Sequence, residues 1–266
     1  MPGDRDASMS LLTYHLASLM NESESRPDFI ISIDFGTTYT GVAFTRVNDD
    51  HGGDKKPDLA SVVEKIEIFK AWPNQTQYYA EKIPTVLAYN TDPPKWGQSV
   101  RPQDEPQIAH FKLGLQARIV EHYGKAQAAS TLAFLDPHWK NPVPNKNPVD
   151  FAADFLESVH QYIKDVALPR QYGKTFLKGL QIAYVITVPA IWNDGAKALT
   201  RQAAERAGIP RNRLELVTEP EAAALYCATI CEEVDLGDGD RFMVCDAGGG
   251  TVVLPRLHST LTRSRI

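Results

Sequence analysis

The chain has few cysteines, and their scarcity excludes one class of protein. Only three occur in 266 residues, Cys227, Cys231 and Cys245, which is too few for a secreted scaffold built on disulfides. Cys227 and Cys231 lie about one helical turn apart, and no further ligands follow at metal-site spacing. We therefore expect small buried thiols here rather than a metal site.

The chain also lacks a block of one charge and a long hydrophobic run. It has 28 Lys and Arg residues against 33 Asp and Glu residues, for a net charge of −5. Without a basic run, nucleic acid and anionic membranes are not expected as main partners. The apolar stretch at residues 11–16 is too short for a membrane span or a signal peptide. We expect a cytoplasmic protein whose residues 1–27 form a disordered tail.

Hydrophobic residues make up 43% of the chain, enough for a sizeable core. Their order predicts an α/β fold, because apolar runs alternate with helical patterns. Asn193 is suited to cap one helix, and the spacing of Thr218 and Glu221 is that of a capping box. The pattern predicts strands at 29–34, 40–46, 181–188 and 241–246 in one sheet, a short strand at 214–217, and helices at 148–168, 194–207 and 219–230.

Two glycine turns each follow an aspartate at the end of an apolar run. Asp34 precedes the turn at 36–38, and Asp246 precedes the turn at 248–250. Glycine allows close approach of the backbone to a ligand, and successive N–H groups in such a turn bind anions. An aspartate beside the turn can hold hydrated Mg²⁺. Either turn alone is also typical of an ordinary structural turn, but the pair predicts a phosphate chain held from two sides.

Four segments together resemble the nucleotide-binding domain of the heat shock protein 70 (DnaK-type) chaperones, within the actin-like ATPase superfamily. They are residues 33–39 (IDFGTTY), 188–192 (VPAIW), 219–224 (EPEAAA) and 246–251 (DAGGGT). Their order and spacing match this family along residues 28–252. The resemblance implies a ribonuclease H-like lobe with a mixed sheet and flanking helices. It also implies ATP and Mg²⁺ as ligands, ATP hydrolysis in the intact family, and co-chaperones or client proteins as further partners.

The resemblance also implies a role for each matched residue. By this resemblance, Asp34 and Asp246 would hold Mg²⁺ through water. The residues implied to bind ATP phosphates are Gly36, Thr37, Thr38 and Tyr39 in the first turn and Gly248, Gly249, Gly250 and Thr251 in the second. Glu219 and Asp246 would orient water and metal near the γ-phosphate, and Pro189 would be a hinge residue.

Lys112 is the candidate lysine for the γ-phosphate, but the residues around it fit an ordinary surface lysine equally well. Glu219 likewise has a structural alternative, because an acidic residue in the first turn of a helix is favoured by the helix dipole.

The resemblance ends after Thr251. Val253 stands where the family keeps an acidic residue, and Pro255 does not suit a central strand. Residues 253–266 contain no acidic residue and differ in composition from the rest. We therefore expect a first lobe at 28–252, a non-homologous tail at 253–266, and a second lobe that is missing. Such a chain is expected to be truncated, to bind Mg-ATP weakly and to lack turnover alone.

Two other functions remain open. A sugar kinase or polyphosphatase of the same superfamily would use similar glycine turns, and a phosphorylation assay on small sugars would identify it. A non-enzymatic interaction fragment would expose part of its sheet and be prone to association.

Overall fold

The structure is a computed structural model that describes residues 27–47, 62, 64–74, 80–104, 107–116, 143, 145–230, 241–247, 252–253 and 256–258. The predicted tail lies outside these residues apart from Pro27. The strands are β1 (Phe29–Phe35), β2 (Tyr39–Arg46), β3 (Glu67–Ile68), β4 (Lys82–Pro84), β5 (Val86–Ala88), β6 (Lys95–Trp96), β7 (Gln107–Ala109), β8 (Ile182–Val188), β9 (Leu214–Thr218), β10 (Arg241–Met243), β11 (Asp246–Ala247), β12 (Val252–Val253) and β13 (Arg256–His258). The α-helices are α1 (Pro148–Gln161), α2 (Leu168–Tyr172), α3 (Asp194–Arg206) and α4 (Glu219–Ile230).

A mixed sheet forms the centre of the molecule. Its strands run in the order β3-β2-β1-β8-β9, and β4 pairs with another part of β2. β1 is antiparallel to β2 but parallel to β8, and β8 is parallel to β9. β1 is almost entirely buried, as expected for a strand covered on both faces. A smaller sheet has the order β6-β5-β7. The predicted α/β class, with a mixed sheet and flanking helices, is confirmed.

Helices α1 and α3 supply much of the core beside the sheet. Asn147 caps α1 by accepting hydrogen bonds from the N–H groups of Val149 and Asp150. The Phe155 ring of α1 stacks on Phe35 of β1, with 6.2 Å between ring centroids. Helix α3 turns an apolar face to the core, with Ala196 and Ala203 fully buried. The helix predicted over 148–168 continues beyond α1 as a π-helical stretch, Tyr162–Ala167.

The prediction that residues 241–246 join the central sheet is wrong. β10 pairs antiparallel with β13, and β11 pairs with β12, each as a separate two-stranded sheet. β13 lies in the segment after residue 252 and occupies a hydrogen-bonding edge of β10. A pairing between near neighbours closes a shorter loop than one that returns to β1, so it costs less chain entropy.

The predicted burial of Cys227 is also wrong, because its side chain is exposed on α4, as is that of Tyr226. Cys231 lies outside the described residues. Within the part of the chain that the structure describes, none of the helices has the length and apolar character needed to cross a membrane.

Candidate functional site

The carboxyl ends of three parallel strands meet at one edge of the central sheet. Ile33 of β1 lies beside Ile186 of β8, and Val188 of β8 lies beside Thr218 of β9. Asp34 and Glu219 therefore reach the same edge, although they are far apart in sequence. Ligands of open α/β sheets bind outside this edge.

Asp34 is held by two neighbours. The Thr187 hydroxyl donates a hydrogen bond of 2.9 Å to Asp34 Oδ1, and Lys82 Nζ donates one of 2.6 Å to Asp34 Oδ2. The side chains of Lys82 and Asp34 are 54% and 41% exposed. The carboxylate thus lies at the surface with an ammonium group already beside it.

The first glycine turn requires glycine at its start. A β-carbon on Gly36 would lie 2.0 Å from the carbonyl oxygen of Tyr39, which is too short for any side chain. The Gly36 N–H donates to the carbonyl of Asp34, and the Thr85 N–H donates to that of Thr38. The turn is therefore tight and is tied to the segment between β4 and β5.

Lys112 is a buried lysine in the short 3-10 helix Phe111–Leu115. It is only 2% exposed, so the alternative of an ordinary surface lysine is wrong. Lys112 Nζ donates a hydrogen bond of 2.6 Å to Glu219 Oε1. The same nitrogen lies 5.7 Å from the ring centroid of Phe35 and 5.5 Å from that of Trp192, within the range of cation–π attraction.

Glu219 faces Lys112, whereas Glu221, two residues later, hydrogen-bonds to Thr218 at the start of α4. Glu221 Oε2 accepts hydrogen bonds from the N–H and the hydroxyl of Thr218. The bond from the Thr218 N–H is one of the two hydrogen bonds of the predicted capping box. The Glu219 side chain is 16% exposed. Its carboxylate is therefore the main compensation for the buried Lys112 charge.

Each described carboxylate of the predicted site is thus paired with a lysine. Successive side chains of a strand point to opposite faces, so Asp34 and Phe35 point to different sides of β1. Lys82 lies on the side of Asp34, whereas Lys112 lies beside the ring of Phe35. The two lysine–carboxylate pairs therefore approach the edge from different faces of the sheet.

The second turn, Gly248, Gly249, Gly250 and Thr251, lies outside the described residues. Asp246 is part of β11, beside Val253. The convergence of Asp246 with Asp34 and Glu219 stays a prediction.

Sequence reasoning missed Lys82 and Thr187. Thr187 directly precedes the matched segment 188–192, so its place near the end of a parallel strand was a usable signal. Lys82 had none, because its contact with Asp34 depends on the pairing of β4 with β2.

The donor chemistry at Asp34 suits Mg²⁺. Across the described ranges, no group of three or more His, Cys, Asp and Glu side chains could enclose a metal ion. Mg²⁺ does not need such a group, because it keeps several waters and is commonly bound by one or two carboxylates together with phosphates. Asp34 beside the first glycine turn fits that mode.

Comparisons with known proteins identify similar chains. Heat shock 70 kDa protein 12A of Homo sapiens is 46% identical over 219 residues, which cover 74% of this chain and 28% of the relative. The protein of the same name from Mus musculus is 45% identical over the same coverage. A chaperone protein HscA homolog of Pseudomonas aeruginosa is 35% identical over 115 residues, which cover 43% of this chain and 16% of the relative. The chain spans less than a third of these relatives, and no family model matches it.

Proposed function

Because the chain belongs to the heat shock protein 70 family, we propose that it is an ATP-binding lobe of a chaperone ATPase. The fold of this lobe is proposed to be ribonuclease H-like, as in the actin-like ATPases. The phosphates lie at the carboxyl edge of β1, β8 and β9. The observation that carries the proposal is the buried Lys112, whose ammonium reaches this edge and meets Glu219 at 2.6 Å.

A buried lysine beside a carboxylate suits phosphoryl transfer. The lysine ammonium group is a compact positive charge that binds phosphate oxygens. Catalysis of phosphoryl transfer depends mainly on positioning the reactants and stabilising charge in the transition state. Lys112 is therefore proposed to contact the γ-phosphate, and Glu219 to hold Lys112 in place and orient a water. Trp192 and Phe35 shield the ammonium from bulk water.

The first turn is proposed to hold the phosphates through its backbone. Gly36, Thr37, Thr38 and Tyr39 form the tight bend whose N–H groups are candidates to bind anions. Asp34 would hold Mg²⁺ through water, and the bound ion would neutralise phosphate charge. Asp246 and residues 248–251 are proposed to bind the phosphates from the opposite side.

Nucleotide binding tests the proposal directly. Calorimetric titration of the 266-residue chain with Mg-ATP is expected to give weak but measurable binding that Asp34→Ala reduces. Arg211→Ala is the matched control, because Arg211 pairs with Glu205 on the surface and precedes β9, at the opposite end of that strand from the proposed phosphates. Equal binding by all three proteins, or none by any, would contradict the proposal.

A sugar kinase or polyphosphatase remains the second candidate from the same superfamily. It would transfer phosphate between ATP and a small sugar, or hydrolyse polyphosphate, whereas a chaperone ATPase does neither. For the chaperone ATPase, membership of the family suggests client proteins and co-chaperones as partners. Phosphorylation of any small sugar by the purified chain would favour the kinase.

A further inference from the structure

Three strands place Lys82, Gly41 and Asp34 in one row across the sheet. Gly41 of β2 lies beside Asp34 of β1 on one side and beside Lys82 of β4 on the other. Lys82 must therefore cross the width of β2 to reach Asp34, and its Nζ ends 2.6 Å from Asp34 Oδ2.

Gly41 leaves open the path that the lysine follows. A β-carbon on Gly41 would lie 3.3 Å from Lys82 Cγ and 3.6 Å from Lys82 Cε. A larger side chain at this position would displace the lysine stem from above β2. Gly41 thus leaves the space through which the Lys82 side chain reaches Asp34.

The backbone that carries Lys82 is fixed relative to the first glycine turn. Tyr39 pairs with Pro84, and the Thr85 N–H donates to the carbonyl of Thr38. The buried hydroxyls of Thr40 and Thr85 also share a hydrogen bond of 2.9 Å. A rigid attachment holds the Lys82 backbone at a set distance from the turn, while the exposed ammonium remains free to exchange partners.

We propose that Lys82 is a resident cation of the phosphate site, which neutralises Asp34 in the absence of metal and contacts phosphate oxygens when nucleotide binds. This inference rests on the proposed nucleotide function. In this role Lys82 competes with Mg²⁺ for Asp34, so nucleotide binding depends less on Mg²⁺.

Electrostatics gives the direction of the effect. Asp34 without a partner repels metal-free ATP and attracts a divalent cation. With Lys82 beside it, the same carboxylate is neutralised, so metal-free ATP is tolerated and a metal ion gains less from binding. Removal of Lys82 is therefore expected to strengthen metal binding and to weaken the binding of metal-free ATP.

Two titrations of the 266-residue chain test this inference. The first measures the affinity for Mn²⁺, as a probe for Mg²⁺, without nucleotide. The second measures the ratio of ATP dissociation constants without and with Mg²⁺. Lys82→Ala is expected to raise Mn²⁺ affinity and to increase the ATP ratio by about tenfold, the worth of one charge-assisted hydrogen bond.

Two further variants sharpen the result. Gly41→Val, which obstructs the lysine path, is expected to shift both quantities in the same direction as Lys82→Ala. Arg211→Ala removes an exposed cation that pairs with Glu205, and it is expected to change neither quantity.

The inference and the proposed function can fail separately. If the wild-type chain binds ATP in an Asp34-dependent manner but Lys82→Ala behaves like Arg211→Ala, the role of Lys82 is refuted and the nucleotide site stands. If no variant binds ATP, the proposed function is refuted. In that case, equal Mn²⁺ affinity of the wild type and Lys82→Ala also refutes competition at Asp34, whereas higher affinity of the variant supports it.

Discussion

Lys112 is the residue whose surroundings depart most from the ordinary. Lysine is almost never fully buried unless it is paired, and here the carboxylate of Glu219 and two aromatic rings lie beside its ammonium group. Such a pair adds little stability when compared with apolar side chains of the same size, but breaking it leaves an uncompensated buried charge. We therefore expect this pair to serve ligand binding more than stability.

Removing the carboxylate should therefore destabilise the fold. Glu219→Ala is expected to lower the free energy of unfolding by about 3 kcal/mol, measured by urea denaturation. Glu157→Ala removes an exposed glutamate on α1 and is expected to change stability by less than about 0.5 kcal/mol. The double variant Lys112→Met with Glu219→Leu should recover much of the loss. Similar stabilities of Glu219→Ala and Glu157→Ala would show that the buried pair is not coupled.

His160 is a second buried ionisable residue, away from the proposed phosphates. Its Nδ1 donates to the carbonyl of Ala207 at 2.9 Å, and its Nε2 accepts from the Tyr184 hydroxyl at 3.0 Å. Burial lowers the pKa of His160, and Lys164 lowers it further, while the bond to Ala207 and the charges of Asp165 and Glu157 oppose this. The neutral ring is thus the form that the fold accommodates.

The depressed pKa predicts a loss of stability in acid. Below the ordinary value of 6.5 the unfolded chain takes up a proton that the folded chain resists, so folding is disfavoured as pH falls. The free energy of unfolding is expected to decrease from pH 7 towards pH 5, until the folded His160 also titrates. His160→Gln should flatten this dependence, whatever its effect on stability at pH 7. An unchanged slope in the variant would assign the acid sensitivity to other groups.

Among the elements, α3 illustrates how a short polar signal positions a helix. Asn193 Oδ1 accepts a hydrogen bond of 3.0 Å from the Ala196 N–H, which satisfies one of the first free N–H groups of the helix. The helix then buries an alanine face against α1 and the sheet. Because alanine allows close packing, a shift of the helix start would be transmitted to the core.

Loss of this cap should cost a defined amount. Asn193→Ala is expected to lower the free energy of unfolding by about 1 kcal/mol, measured by thermal or urea denaturation. Gln202→Ala, at an exposed position in the same helix, is expected to leave stability within about 0.5 kcal/mol of the wild type. A cap variant as stable as the Gln202 variant would mean that water replaces the Asn193 oxygen without loss.

For the molecule as a whole, the described residues at the carboxyl edge of the central sheet are open to solvent. The side chains of Asp34, Lys82, Tyr39 and Ile191 at or near this edge are all substantially exposed. Phosphoryl transfer benefits from an enclosed site from which water is excluded, and tight binding requires most of the ligand surface to be buried. The aligned part of this chain covers 28% of the human heat shock 70 kDa protein 12A.

We therefore expect the 266-residue chain alone not to turn over ATP at a useful rate. Steady-state release of phosphate should not differ between the wild type and Asp34→Ala, even if both proteins are folded by circular dichroism. Robust turnover that Asp34→Ala abolishes would contradict this expectation and would show that the 266-residue chain suffices for hydrolysis.

Local sequence signals predicted the elements of this fold well. Continuous apolar runs marked β1, β2 and β8, and the caps at Asn193 and Thr218 marked the starts of α3 and α4. These signals act over a few residues, through side-chain burial and hydrogen bonds to the nearest backbone, so they can be read without knowledge of distant parts of the chain. The Asp34 turn could be recognised for the same reason.

Long-range pairing could not be predicted in this way. The burial of Lys112 depends on Phe35, Trp192 and Glu219, which come from three separate segments. The contact of Lys82 with Asp34 depends on strand register and on the absence of a side chain at Gly41. The strand at 241–243 pairs with a later segment, β13, instead of joining β1. In each case the outcome is set by competition between distant segments for the same edge or cavity, and this competition is resolved only when the whole chain packs.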